Sequence, residues 1–195
     1  MHPAQVPNSK YLLVRQLFKL VGSNFRIFDQ SGQLVYFCHQ KGFKLREDIR
    51  IFSDEAQSNE VLRIAARKII DFSAAYDVID SATNQKVGAF KRKGWKSMVR
   101  DEWVIMDVND VEIGKVIEDS IALALIRRLL TNLIPQNYDL LLLNGVRAVD
   151  LRQNFNPFTY KLNIEFSSDP AAQIDHRMGI VAGILLAAIE GRQSG

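Results

Sequence analysis

MGIVAGILLAAI, residues 178–189, predicts a helix that is apolar on every side. A helix without a polar face has to be enclosed. At 1.5 Å rise per residue the stretch extends over roughly 18 Å, well short of the roughly 30 Å hydrocarbon core of a bilayer. We therefore expect the protein itself, rather than lipid, to surround this helix.

Composition and charge indicate one globular domain. The chain has 195 residues, of which 47% are hydrophobic, enough for one substantial core. Its 25 basic and 22 acidic residues leave a net charge of +3, which is too small to predict a nucleic-acid partner. The single cysteine, Cys38, excludes an internal disulfide and is interpreted as a buried small hydrophobe. We expect a cytoplasmic protein, with a flexible leader over residues 1–9, one domain over 10–191 and a tail over 192–195.

A short pattern recurs about every 25 residues: an apolar run ends in aspartate, a polar turn follows, and a second apolar run leaves the turn. This pattern is typical of β-hairpins. An aspartate carboxylate at such a position can accept hydrogen bonds from backbone amides just ahead of it, so we interpret these aspartates as turn residues rather than metal ligands or catalytic groups. The aspartates are Asp29, Asp54, Asp80 and Asp107, and their runs begin at Phe25, Ile49, Tyr76 and Trp103.

The segments between these runs complete a predicted antiparallel meander. The returning strands are expected at Leu34–Cys38, Val61–Ile64, Val87–Phe90 and Ile113–Ile117, and linking strands at Lys10–Lys19, Lys41–Arg46, Ala65–Phe72 and Lys91–Arg100. Further strands are expected at Tyr138–Leu143, Val146–Arg152 and Phe158–Phe166, with Asn144-Gly145 as a tight turn. Strands this numerous favour a β-sandwich or a barrel, and a closed barrel has no exposed edge.

Two helices interrupt or end the meander. Ile121–Ile134 has a helical period with one polar side, and Pro135 ends it, so we expect it on the exterior or at the mouth of the barrel. The final helix, about 170–190, begins either at Asp169-Pro170 or behind Asp175. The spacing of Gly179 and Gly183 within it indicates close packing against strands rather than helix pairing in a membrane.

Taken together, these features resemble the LURP-one-related proteins, which are structurally related to the Tubby C-terminal domain and the phospholipid scramblases. The resemblance covers nearly the whole chain after residue 10. It rests on the opening Tyr11–Gln16, the strand-Asp-turn-strand units, the 121–134 helix and the Asp175-His176-Arg177 that precedes MGIVAGILLAAIE. It implies a mainly β fold (α+β by count), a closed antiparallel barrel of about twelve strands around a hydrophobic C-terminal helix.

The strongest functional signal is a dense basic stretch with an aromatic residue at a hairpin connection. We predict that it binds an anionic lipid headgroup, such as a phosphoinositide, at a membrane surface. The resemblance to the Tubby-like group, in which a basic surface of the barrel binds phosphoinositides, favours this hypothesis. A solvated strand edge that discourages strand pairing is the alternative interpretation. The predicted ligand-binding residues are Lys91, Arg92, Lys93, Trp95, Lys96 and Arg100.

Other functional classes have less support in the sequence. Scramblases carry an acidic metal-binding stretch and a cysteine-rich region, whereas only Asp169 and Asp175 precede the helix here, so we expect neither scrambling nor a bound metal or cofactor. Cys38 and His39 point to opposite faces of one strand and cannot form a catalytic pair, so we expect no enzyme. A protein-interaction scaffold that uses helix 121–134 or a sheet edge remains the alternative function, a cryptic hydrolase is a third hypothesis, and the oligomeric state stays open.

Overall fold

The computed structural model describes residues 10–16, 23–40, 48–67, 75–92, 102–118, 136–154, 156, 158–166 and 174–190. These residues form a barrel of strands with a helix inside it. The predicted leader (1–9), the tail (192–195) and the Ile121–Ile134 helix lie outside the described residues. The elements are β1 (Lys10–Gln16), β2 (Ser23–Asp29), β3 (Leu34–Gln40), β4 (Ile49–Phe52), β5 (Glu60–Ala66), β6 (Ala75–Asp80), β7 (Gln85–Arg92), β8 (Trp103–Met106), β9 (Glu112–Glu118), β10 (Asn137–Leu142), β11 (Arg147–Asn154), β12 (Thr159–Glu165) and α1 (His176–Glu190).

The strands form a closed antiparallel barrel in which each strand pairs with the strands before and after it in the chain. Closure occurs between β1 and β12, where the register runs from Lys10 opposite Glu165 to Gln16 opposite Thr159. This confirms the predicted barrel of about twelve strands and the predicted C-terminal helix. The described parts of two predicted linking strands are not separate strands, because residues 65–66 complete β5 and residues 91–92 complete β7.

The helix α1 is enclosed by the barrel on all sides. The four successive residues Ile180, Val181, Ala182 and Gly183 are spaced around the full circumference of the helix at steps of about 100°, and all four are buried. Gly183 provides the close approach that the sequence predicted, since a Cβ atom there would lie 2.7 Å from Ile164 Cδ1 on β12. The wall of strands therefore takes the place of the lipid that an apolar helix would otherwise require.

The described helix begins behind Asp175, the second of the two predicted starts, whereas Asp169 and Pro170 lie outside the described residues. The backbone carbonyl of Asp175 accepts a hydrogen bond from the amide of Met178 (2.9 Å), and its Oδ1 accepts one from the amide of Arg177 (2.9 Å). A carboxylate at this position caps the helix and lies at the positive end of the helix dipole.

The two ends of the barrel differ in their connections. At one end, which we call the turn end, short turns join β2 to β3, β4 to β5, β6 to β7, β8 to β9 and β10 to β11. At the other end, which we call the connection end, the strands are joined through residues 17–22, 41–48, 67–74, 93–102, 119–136 and 155–158. The N-terminus of α1 lies at the turn end, where Arg177 Nη1 donates to Asp80 Oδ2 (2.6 Å). Its C-terminus lies at the connection end, where Arg15 Nη1 donates to the carbonyl oxygen of Ala187 (2.8 Å).

The predicted turn role of the four aspartates is confirmed. Asp29 Oδ1 accepts from the amides of residues 31 and 33, and Asp107 Oδ1 accepts from the amides of residues 109 and 111, at 2.8 to 3.0 Å. Asp80 Oδ1 accepts from the amides of residues 82 and 83, and Asp54 Oδ1 from the amide of residue 58. One carboxylate thus closes each of these hairpin turns, which explains why the pattern repeats.

Candidate functional site

Lys91 and Arg92, the first two residues of the predicted basic stretch, are the last residues of β7 at the connection end. Phe90 points into the core, so Lys91 points outward by the alternation of side chains along a strand, and it is exposed. Arg92 follows the inward alternation and is half-buried at the rim, beside Trp103 on β8. The remaining predicted residues, Lys93, Trp95, Lys96 and Arg100, lie outside the described residues.

Lys91 lies in a row of outward-facing residues that crosses three strands, which we call the basic row: Lys91 on β7, Val104 on β8 and Lys115 on β9. Lys91 pairs with Val104, and Val104 pairs with Lys115. At about 4.8 Å between strands, the two lysines stand about 10 Å apart on either side of a buried valine. Sequence reasoning missed Lys115, because only the strand register brings residues 24 positions apart into one row.

The two lysines of the basic row, and Lys161 on β12, differ from two other lysines of the barrel in having no carboxylate partner among the described residues. Lys10 Nζ lies 2.8 Å from Glu165 Oε1, and Lys86 Nζ lies 2.6 Å from Asp110 Oδ1. Lys91, Lys115 and Lys161, in contrast, form no ion pair with any carboxylate in the part of the chain that the structure describes. Their positive charges are therefore not neutralised by the described wall, and they are suited to an anionic ligand.

The C-terminus of α1 affects where an anion would bind at the connection end. The last carbonyl groups of a helix carry a partial negative charge, and here they face the mouth of the barrel. Arg15, only 3% exposed, satisfies the Ala187 carbonyl and lies 5.6 Å from the ring centroid of Phe25. Because the helix and the Arg15 side chain occupy the mouth, an anion has to bind outside it, where Lys91 is exposed.

A second charged cluster lies at the turn end and anchors the helix to the wall. Arg177 joins Asp175 on the helix cap to Asp80 at the end of β6, with contacts of 2.5 and 2.6 Å. Burial acts to raise the pKa of Asp175 and of Asp80, but hydrogen bonds and the nearby Arg177 charge outweigh it and hold both pKa values below their usual range. Burial raises the pKa of Tyr36, which lies close to this cluster. We interpret the cluster as structural.

Cys38 and His39 occupy opposite faces of β3, as predicted. Cys38 is fully buried, and this burial raises the pKa of its thiol. His39 Nδ1 lies 2.6 Å from Asn24 Oδ1 on the neighbouring strand. Among the described residues, no group of three or more His, Cys, Asp or Glu side chains is arranged to hold a metal ion.

Comparison with known proteins gives one match. The model of the LURP-one-related family matches residues 36–186, which is most of the chain. No curated protein and no solved structure matches the sequence significantly. Within the described residues, α1 included, no helix is long and apolar enough to cross a membrane.

Proposed function

Because the chain belongs to the LURP-one-related family, and because its barrel carries cations without described counter-charges, we propose that it is a non-catalytic binding module of the Tubby-like type. Its ligand is an anionic lipid headgroup, such as a phosphoinositide, at a membrane surface. The location is the cytoplasm, peripheral to a membrane, since the single cysteine of the chain, the buried Cys38, leaves no internal disulfide that would call for an oxidising compartment.

The basic row is the observation that carries this proposal. Two lysines on strands about 10 Å apart can place their ammonium groups on separate phosphate groups of one headgroup or of neighbouring lipids, and Arg92 lies at the same strand end as Lys91. The following residues, Lys93 to Arg100, bring further cations and Trp95, an aromatic residue of the kind enriched at membrane interfaces. Each basic residue near an anionic surface contributes about 1 kcal/mol to binding.

Flotation with liposomes tests the proposal. A Lys91→Ala, Lys115→Ala variant loses two cations, about 2 kcal/mol, and should bind vesicles that contain phosphoinositide roughly 30-fold more weakly than the wild type. Binding of the wild type should also weaken from low to near-physiological salt and should be absent with neutral phosphatidylcholine.

The matched control is Lys10→Ala, Arg50→Ala, which removes the same charge at exposed positions elsewhere on the barrel, where each cation has a glutamate partner. This control should bind within about threefold of the wild type, since those charges are already compensated. Equal weakening of both variants would mean that only net charge matters and would refute a role for the basic row.

The alternative function, a protein-interaction scaffold, has less support from the fold. The described strands close into a barrel and leave no unpaired edge strand, and the 121–134 helix lies outside the described residues. Failure of the wild type to bind any liposome would nevertheless direct the search to protein partners.

A further inference from the structure

Phe158 is an exposed aromatic residue that the fold holds at the connection end. Its side chain is 69% exposed although its backbone is tied down, because Asn156 Oδ1 accepts hydrogen bonds from the amides of Phe158 (2.9 Å) and Thr159 (3.0 Å). A short, hydrogen-bonded turn therefore presents a large apolar side chain at the surface, where its transfer into an apolar environment would be favourable.

The position of Phe158 agrees with that of the basic stretch. Thr159 pairs with Gln16, the last residue of β1, so Phe158 lies at the same end of the barrel as Lys91 and Arg92. Lys161, two residues after Thr159 on β12, points outward and forms no ion pair with a described carboxylate. An apolar side chain with a cation behind it is typical of membrane-interface anchors, because the ammonium group reaches the phosphates while the ring enters the acyl boundary.

The turn end also exposes apolar side chains, but its charge is unsuitable. Val108, Val111 and Leu143 are 50 to 69% exposed there. The same end carries the aspartates that close the hairpin turns, and the exposed Glu112 begins β9. An anionic bilayer would be repelled by these carboxylates, so the connection end is the better membrane-facing surface.

We propose that Phe158 inserts into the interface of an anionic bilayer, with Lys161 as its accompanying phosphate contact, so that the connection end faces the membrane. This inference rests on the proposed function and adds an orientation to it. It requires a bilayer as the source of the headgroup, since a soluble headgroup offers nothing for an aromatic ring to enter.

Two variants with equal exposure at opposite ends test the orientation. Phe158→Ala should bind vesicles of phosphatidylcholine with phosphoinositide about tenfold more weakly than the wild type, which corresponds to the lower end of the range for burying a phenylalanine side chain. Leu143 is also 69% exposed, and Leu143→Ala should bind like the wild type. Binding of soluble inositol phosphate, measured by calorimetry, should be unchanged in Phe158→Ala. Phe158→Trp should restore vesicle binding and should show quenching by brominated lipid beyond that of the native tryptophans.

The possible failures can be told apart. If the wild type binds anionic vesicles and Phe158→Ala binds them equally well, the anchor is refuted while the proposed function stands. If Leu143→Ala weakens binding instead, the turn end faces the membrane and the orientation is wrong. If the wild type binds neither vesicles nor inositol phosphate, the proposed function fails, and the anchor fails with it. Unchanged thermal unfolding of Phe158→Ala would exclude misfolding as the cause of lost binding.

Discussion

Replacing Gly179 by alanine should destabilise the protein far more than the same replacement at Gly183. A Cβ atom at Gly179 would collide with the ring carbons Cζ and Cε1 of Phe166 and would lie 3.2 Å from Val149 Cγ2. The Phe166 ring cannot easily move away, because His176 stacks on it at 4.1 Å and Tyr11 meets it edge-on at 5.9 Å. At Gly183 the Cβ atom would meet the flexible end of Ile164 at 2.7 Å, and rotation of that side chain can relieve the contact.

The expected magnitudes follow from two opposing effects. Alanine in place of glycine inside a helix is favourable by about 1 kcal/mol at both positions. Overpacking costs about 3 kcal/mol or more where the neighbour is fixed and about 1 kcal/mol where it can relax. The net loss of unfolding free energy should therefore be about 2 kcal/mol for Gly179→Ala and close to zero for Gly183→Ala. Because the helix-propensity gain is shared, the difference between the two variants reports packing alone.

Urea denaturation followed by circular dichroism measures both free energies of unfolding, with equal m-values as the check that the denatured states are comparable. A Gly179→Ala variant as stable as the wild type, or more stable than Gly183→Ala, would refute the proposed enclosure of the helix by Phe166. Gly183→Asp is the extreme case, because an uncompensated buried charge costs about 3 to 5 kcal/mol, which is comparable to the whole stability of many domains. That variant should be lost from the soluble fraction.

Two further predictions concern the turn end. Below about pH 4 the wild type should lose stability more steeply than an Arg177→Leu variant. Arg177 helps to lower the folded pKa of Asp80 and of Asp175, so the two ionised carboxylates stabilise the fold above their unfolded pKa. This contribution is lost as the pH falls through the folded pKa. Thermal unfolding as a function of pH measures this, and identical acid profiles would contradict it. Asp107→Ala should cost about 1 to 2 kcal/mol by removing two amide hydrogen bonds, while Asp107→Asn should retain most of the stability, as urea denaturation would show. Equal losses in the two Asp107 variants would contradict the turn role.

Local chemistry made much of the fold predictable. The aspartate of each hairpin acts on amides within four residues of itself, so its role can be deduced from the sequence without knowledge of the rest of the chain. The enclosed helix was predictable for a different reason: the absence of any polar face leaves burial as the remaining solution for a helix too short to cross a bilayer. Both inferences depend on residues that are neighbours in the chain.

The features that sequence reasoning missed depend on register and on closure of the barrel. Lys115 joins Lys91 only because β7, β8 and β9 pair with that particular alignment, and a shift by one residue would place it on the opposite face. The contact of Arg177 with Asp80 joins residues 97 positions apart, and that of Arg15 with the Ala187 carbonyl joins residues 172 apart. No local pattern distinguishes these two arginines from surface arginines.

The direction of the helix connects these long-range contacts to the proposed function. Its positive end is neutralised at the turn end by the Asp175 cap, and its negative end faces the connection end with Arg15 against it. The helix terminus and Arg15 thus occupy the mouth at the connection end, and the cations Lys91 and Lys161 of that end lie on the outer wall. The apolar interior is filled by the helix, so a ligand has to bind on the outside. Lys91 on β7 and Lys161 on β12 lie five strands apart around the barrel, so a flat anionic surface would meet both of them, together with Phe158, only at the rim of the connection end.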